Sequence, residues 1–307
     1  MNQTDCTTTS EARPATGHSS WLKLRRTRWS ATLAGMVVLL LIAQHLNPGT
    51  SIAPGLTPLA ILAVFIAALA CEFMDSSLGM GYGTTLTPLL MLAGFAPLEI
   101  VPAVLFSELL TGLAATAMHQ RDGNVDFFNN TQAKKTALFL VSLSSIGGIL
   151  AVWMAINLSR FWLSLFITLI ILSMGIIILL TRSRKIPYRQ GGIMAVGAIA
   201  AFNKSLSGGG YGPLVTAGQV VSGLPAKHAV AITSAAETFT CLIGLLAYLA
   251  AGKNIAWELA LPLALGALLS VPLATLTVQR TSEARLRGAV GLVTVLLGFA
   301  ALAKLIA

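Results

Sequence analysis

Charge is what this sequence has least of. Asp, Glu, Lys and Arg make up 10% of its 307 residues, apolar residues 55%, and mean hydropathy is +0.80. Soluble domains carry about a quarter charged residues, so a water-exposed globule is excluded. Cysteine is almost missing as well. Cys6, Cys71 and Cys241 are scattered and form neither a disulfide framework nor a metal-ligand spacing. No nucleophile–base pair, metal-ligand cluster or phosphate-binding GK[ST] loop occurs, which argues against an enzyme or an ATP-driven pump and calls for no cofactor. The strand alternation of a membrane β-barrel is also absent. Apolar runs of about 20 residues have instead the length of bilayer-crossing helices.

The net charge of +9 raises the question of nucleic acid, but its distribution answers it. Nearly all Lys and Arg fall in short segments between apolar runs, where they set membrane orientation. Residues 1–29 are polar and end in Lys23, Arg25, Arg26 and Arg28, which reads as a cytoplasmic tail. The polar part is too long for a secretory signal. Residues 30–46 are an extra membrane helix and Asn47 to Leu56 a charge-free external loop. Five apolar segments follow at about 57–74, 79–93, 97–119, 133–156 and 160–181. After the basic linker 182–189 come five more, at about 190–203, 208–222, 225–250, 254–279 and 286–306. With the N-terminus inside and every segment crossing, sixteen of the 20 basic residues face the cytoplasm, leaving Arg160, Lys204, Lys253 and Lys304 outside.

The two sets of five are related. DSSLGMGYGTTLTPLL from Asp75 and NKSLSGGGYGPLVTAG from Asn203 align without a gap from the shared Gly-Tyr-Gly at an offset of 129. At that offset Thr87 meets Thr216, Glu108 meets Glu237, Thr111 meets Thr240 and Gly123 meets Gly252. Matching the one acid deep in each of two apolar helices marks a duplication of residues 57–181 and 190–306. Five segments is an odd number, so the second copy enters the membrane from the opposite side. The expected fold is an all-α integral membrane protein of two inverted-topology repeats with glycine-broken short helices, plus the extra N-terminal helix. Segments 190–203 and 208–222 are short of the ~20 residues a span needs, and either cross broken or turn back.

Chemistry concentrates at the breaks. Asn203, Lys204, Ser205 and Ser207 supply donors, and Gly208, Gly209 and Gly210 let backbone approach a ligand ahead of a helix N-terminus. Together they suit a small oxyanion; the alternative is a turn whose glycines serve tight helix packing. The first break, with Ser76, Ser77 and Gly81, is a weaker copy: Met80 replaces Gly209, and Asp75 replaces Lys204. Asp75 either pairs with Lys204 or sits at a membrane surface. Glu108 and Glu237, about eleven or twelve residues into their helices, are expected near mid-membrane, where they either couple protons to transport or act as protonated interhelical glue. His119 and His228 read as interfacial residues, and Glu99 as an acid near a helix start.

EFMDSSLGMGYGTTLTPLL in one half and NKSLSGGGYGPLV followed by GLPAKHAVAITSAAE in the other resemble the sulfite exporter TauE/SafE family of membrane permeases. The likeness covers about residues 57–306. It implies transport of small sulfur-containing anions such as sulfite, sulfonates or thiosulfate across the bacterial inner membrane. The expected partners are the lipid bilayer, the anion and protons, with no nucleic acid. An anion or proton channel and a non-transporting assembly protein are the competing classes.

Overall fold

The computed structural model describes residues 58–126, 131–181, 190–221, 226–277 and 283–306. The tail 1–29, the apolar segment 30–46 and the basic linker 182–189 lie outside the described residues. Among the described residues the chain forms ten helices and no strand. They are α1 (Pro58–Leu78), α2 (Tyr82–Leu92), α3 (Pro97–Arg121), α4 (Thr131–Asn157), α5 (Arg160–Thr181), α6 (Gln190–Ser207), α7 (Tyr211–Val221), α8 (Ala226–Ala250), α9 (Trp257–Thr277) and α10 (Glu283–Ile306). Six of them, α1, α3, α4, α5, α8 and α9, contain stretches long and apolar enough to cross a bilayer. The two 11-residue helices, α2 and α7, rise only about 16 Å and reach roughly halfway through a ~30 Å hydrocarbon core.

Local chemistry explains several helix ends. Pro97 opens α3 with its missing N–H, and the Glu99 carboxylate accepts the Ala96 amide at 2.7 Å, completing one arm of a cap. Glu99 thus has a structural task at the start of the helix. Lys304 donates to the Leu92 carbonyl at 2.7 Å, capping the negative end of α2 from the end of α10.

The breaks are narrower than the sequence suggests. Asp75 to Leu78 belong to α1 and Lys204 to Ser207 to α6, four residues past the expected ends at 74 and 203. Each helix is stopped by a glycine at positive φ whose amide closes the last turn: Gly79 donates to the Asp75 carbonyl (2.6 Å) and Gly208 to that of Lys204 (2.8 Å). Lys204, Ser205 and Ser207 therefore occupy the C-terminal, negative end of α6 rather than the positive N-terminus of α7. A lysine complements that end.

At the 129-residue offset the bounds of α2 fall on those of α7 and the bounds of α3 on those of α8. Gly79, Gly81 and Gly123 share positive φ with Gly208, Gly210 and Gly252. The packing exchanges in the same way. α1 lies along α9 as α6 lies along α4, and α9 against α3 as α4 lies against α8. The self-related pairs, α3 with α8 and α5 with α10, also pack together. Leu59, Ile149, Trp162, Phe239, Leu273 and Phe299 are exposed, an apolar outer surface of the kind lipid covers.

At the centre the two breaks touch each other. A Cβ on Gly83 would overlap the Gly208 carbonyl, and one on Gly212 the Gly79 carbonyl. Thr87 Oγ1 donates to the Ser207 carbonyl (2.8 Å), and its repeat mate Thr216 donates to that of Gly79 (3.0 Å). Close backbone approach through glycine, with hydroxyls satisfying the freed carbonyls, is how broken helices are tolerated in lipid.

Candidate functional site, a buried charge cluster

Polar groups gather where α1, α3, α6 and α8 meet. Glu108 is the twelfth residue of α3 and Glu237 the twelfth of α8, so packing these two helices brings both carboxylates to the middle of the pair. Lys204 enters between them from α6. Its ammonium pairs with Glu108 and lies 2.7 Å from Glu237 Oε1, with the lysine 1% exposed. Its reach fits the site because the helix continues past 203 and aims the side chain inward. Charge counting assigns Lys204 to the external side as a loop charge; it is instead a buried partner of Glu108 and Glu237.

Asp75 completes a triangle. Carboxylate oxygens of Asp75, Glu108 and Glu237 all lie within 4.8 Å of one another. Lys204 pairs with the two glutamates, whereas an Asp75 oxygen accepts the Tyr82 amide at 3.4 Å. Three carboxylates at that spacing have the donor set for a metal, but the lysine ammonium already holds two of them. Tyr82 itself is buried and shares a 2.7 Å hydrogen bond with Ser107, the neighbour of Glu108.

A fourth acid, Glu72, was not singled out from the sequence. It lies one turn before Asp75 and Ser76 on the same face of α1, 2% exposed, and accepts the Ser76 hydroxyl at 2.5 Å. The signal was available as an acid three residues from another acid in an apolar helix. The duplication obscured it, because Ala201 stands at the matching position. Glu72, Asp75, Ser76, Glu108, Thr111, Ser234 and Glu237 line a small cavity with room for about one water. One oxygen each of Glu72 and Glu108 is buried without a hydrogen-bond partner.

Most other expected binding residues lie off this cavity. Ser205 packs against Gly148 and Gly244, with its carbonyl accepting from Tyr248. Ser207 Oγ donates to the Asn203 carbonyl and accepts the Gly209 amide, while the Asn203 amide group lies beside Gly210. Ser77 donates to the Met74 carbonyl, and Gly81 turns the chain into α2. These groups brace the crossed breaks, and only Ser76 of the set reaches the cavity wall.

Apolar-faced helices wrapped around a buried charge cluster are the architecture of a multi-pass membrane protein, and its family and relatives make it a membrane transporter. The chain belongs to the sulfite exporter TauE/SafE family, whose pattern matches residues 62–301. It is similar to the probable membrane transporter protein YtnM of Bacillus subtilis (strain 168), 27% identical over 232 residues that cover 72% of this chain and 75% of that one. No solved structure matches it.

Proposed function

We propose that this protein is a secondary transporter that carries a small sulfur-containing oxyanion across the bacterial inner membrane together with protons. The observation that carries the reading is Lys204, a fully buried cation held between Glu108 and Glu237. A transported anion and the two carboxylates compete for the same ammonium. When a carboxylate takes a proton it releases the lysine, and the anion takes its place. Leaving the net charge of the cluster unchanged requires one proton per monoanion and two per dianion, because an uncompensated charge in this setting is costly.

The Ser76, Thr111 and Ser234 hydroxyls on the cavity wall, which donate to Glu72 and to the Glu108 and Val230 carbonyls, would turn to the oxyanion when it enters, while the breaks hold Lys204 in register. The matched halves support an inverted repeat, and rocking one half against the other would expose the cluster alternately to each side. The family supports sulfite as the first anion to try.

The test is sulfite flux into proteoliposomes with and without an imposed pH gradient. Wild-type flux should saturate and follow the gradient. Lys204→Ala and Glu237→Gln should each lower it roughly ten- to hundredfold, the loss expected for one charged contact. Wild-type rates in both correctly inserted variants would refute the assignment.

A further inference from the structure

Glu72 and His119 are two buried groups that the exchange at Lys204 does not use, and they flank the cavity on one side. His119 lies on the face of α3 that carries Glu108, Thr111, Gly112 and Ala115, one turn beyond Ala115. Thr111, Gly112 and Ala115 all line the cavity, and the His119 ring lies beside the backbone of Ser76 in the same wall. The imidazole is 0% exposed. Its Nδ1 meets the Asn124 amide nitrogen at 2.9 Å, and Nε2, with no side-chain partner among the described residues, faces the Ser76 backbone. An amide nitrogen only donates, so Nδ1 accepts and Nε2 carries the hydrogen. Asn124 sits in the turn after α3, which also holds exposed Asp126, and reaches the Thr275 carbonyl of α9.

We propose that His119 and Glu72 form the proton path that connects the charge cluster to the turn after α3. A proton arriving from the turn binds Nδ1 as the Asn124 contact yields. Nε2 releases its own proton to cavity water, and Glu72, once its carboxyl has passed its own proton to the cluster, takes it. One proton enters the ring and one leaves, and a ring flip resets it.

Glu72 suits the role because no cation among the described residues pairs with it, whereas Glu108 and Glu237 share Lys204. The ionisable groups around it are Cys71 and Asp75 on its own helix, Tyr82 on α2, Glu108 on α3, Lys204 on α6 and Glu237 on α8. α9, packed along α1, carries only Glu258, in its first turn. Around His119 the ionisable groups are Arg121, Asp122 and Asp126 beyond it, and Asp75 and Glu108 across the cavity.

The path deepens the proton-coupled reading and depends on it for its use, but its test needs no substrate. Infrared spectra of the purified full chain report protonated carboxylic acids directly, and transfer to D2O reports how fast each exchanges. Glu72→Gln should remove one protonated-carboxyl band. His119→Gln should leave the band and slow its exchange roughly a hundredfold, the scale of a positioned proton-transfer group. Ala115→Val, which narrows the passage without removing a titratable group, should slow it in the same direction. No band lost in Glu72→Gln would overturn the proposal, as would exchange at the wild-type rate in both His119→Gln and Ala115→Val. If the band behaves as expected but sulfite flux ignores the pH gradient, the path stands and the coupling falls.

Discussion

Replacing Lys204 by methionine tests the centre of the structure most directly. Methionine keeps the length of the stem and loses the charge, leaving Asp75, Glu108 and Glu237 with oxygens within 4.8 Å and no cation among them. Two like charges at about 4 Å repel by roughly 4 kcal/mol at the effective dielectric of a partly wet site. Breaking a buried pair by removing one partner costs about 3–5 kcal/mol. For a chain of this size each kcal/mol is worth about 2 °C in melting temperature, so the variant should melt roughly 6–10 °C below wild type in detergent. The diagnostic comparison is Lys204→Met combined with Glu108→Gln and Glu237→Gln. Replacing both glutamates leaves neutral amides around Asp75, the one carboxylate of the three still in place, and should recover most of the loss. Thermal melts of the three proteins decide it. A single variant that melts with wild type, or a triple variant no more stable than the single, would refute an ion pair as the organising contact.

Two further outcomes follow from the crossed breaks and the orientation. Gly83→Ala should destabilise or abolish folding, because its Cβ would overlap the Gly208 carbonyl, whereas Gly94→Ala at an open site should cost only the strain of its positive φ; melting temperature and monodispersity separate the two. Single cysteines at positions 94 and 253 should react with an impermeant thiol reagent added outside intact cells and one at position 185 should not, in a background with Cys6, Cys71 and Cys241 replaced. The reverse pattern would invert the assigned orientation.

The helical class was legible because lipid leaves few choices: scarce charge and ~20-residue apolar runs exclude other folds. The duplication was legible too, since Gly-Tyr-Gly and the paired glutamates survive in both halves and the helix bounds follow them. Helix ends at the breaks were not. Asp, Asn and Ser are turn residues on propensity, yet they form the last turns of α1 and α6 because a positive-φ glycine closes each helix after them. The partner of Lys204 was also hidden. Charge counting treats a lysine as a surface marker, and nothing local in the sequence says that two glutamates 33 and 96 residues away meet it. His119 was misplaced for a similar reason. Near a helix end beside Arg121 it reads as interfacial, but Asn124 and α9 close over it.

Under the proposed exchange, the asymmetry between the halves is what gives the cluster a use. Duplication alone supplies Glu108 and Glu237 as mates, and a chain with Asp at both break positions would gather only acids. With Lys at both, each glutamate would have its own cation and no vacancy for a transported anion. Here one half contributes Lys204 and the other Asp75 and Glu72, where the second half has Ala201. One cation is then contested by two mates, and an extra acid stands beside them without a cation of its own. Met80 against Gly209 follows the same division, since the first break presents a buried side chain where the second presents bare backbone. Two halves that fold alike but carry unlike charge are what the proposed exchange needs: a matched scaffold around a single contested cation.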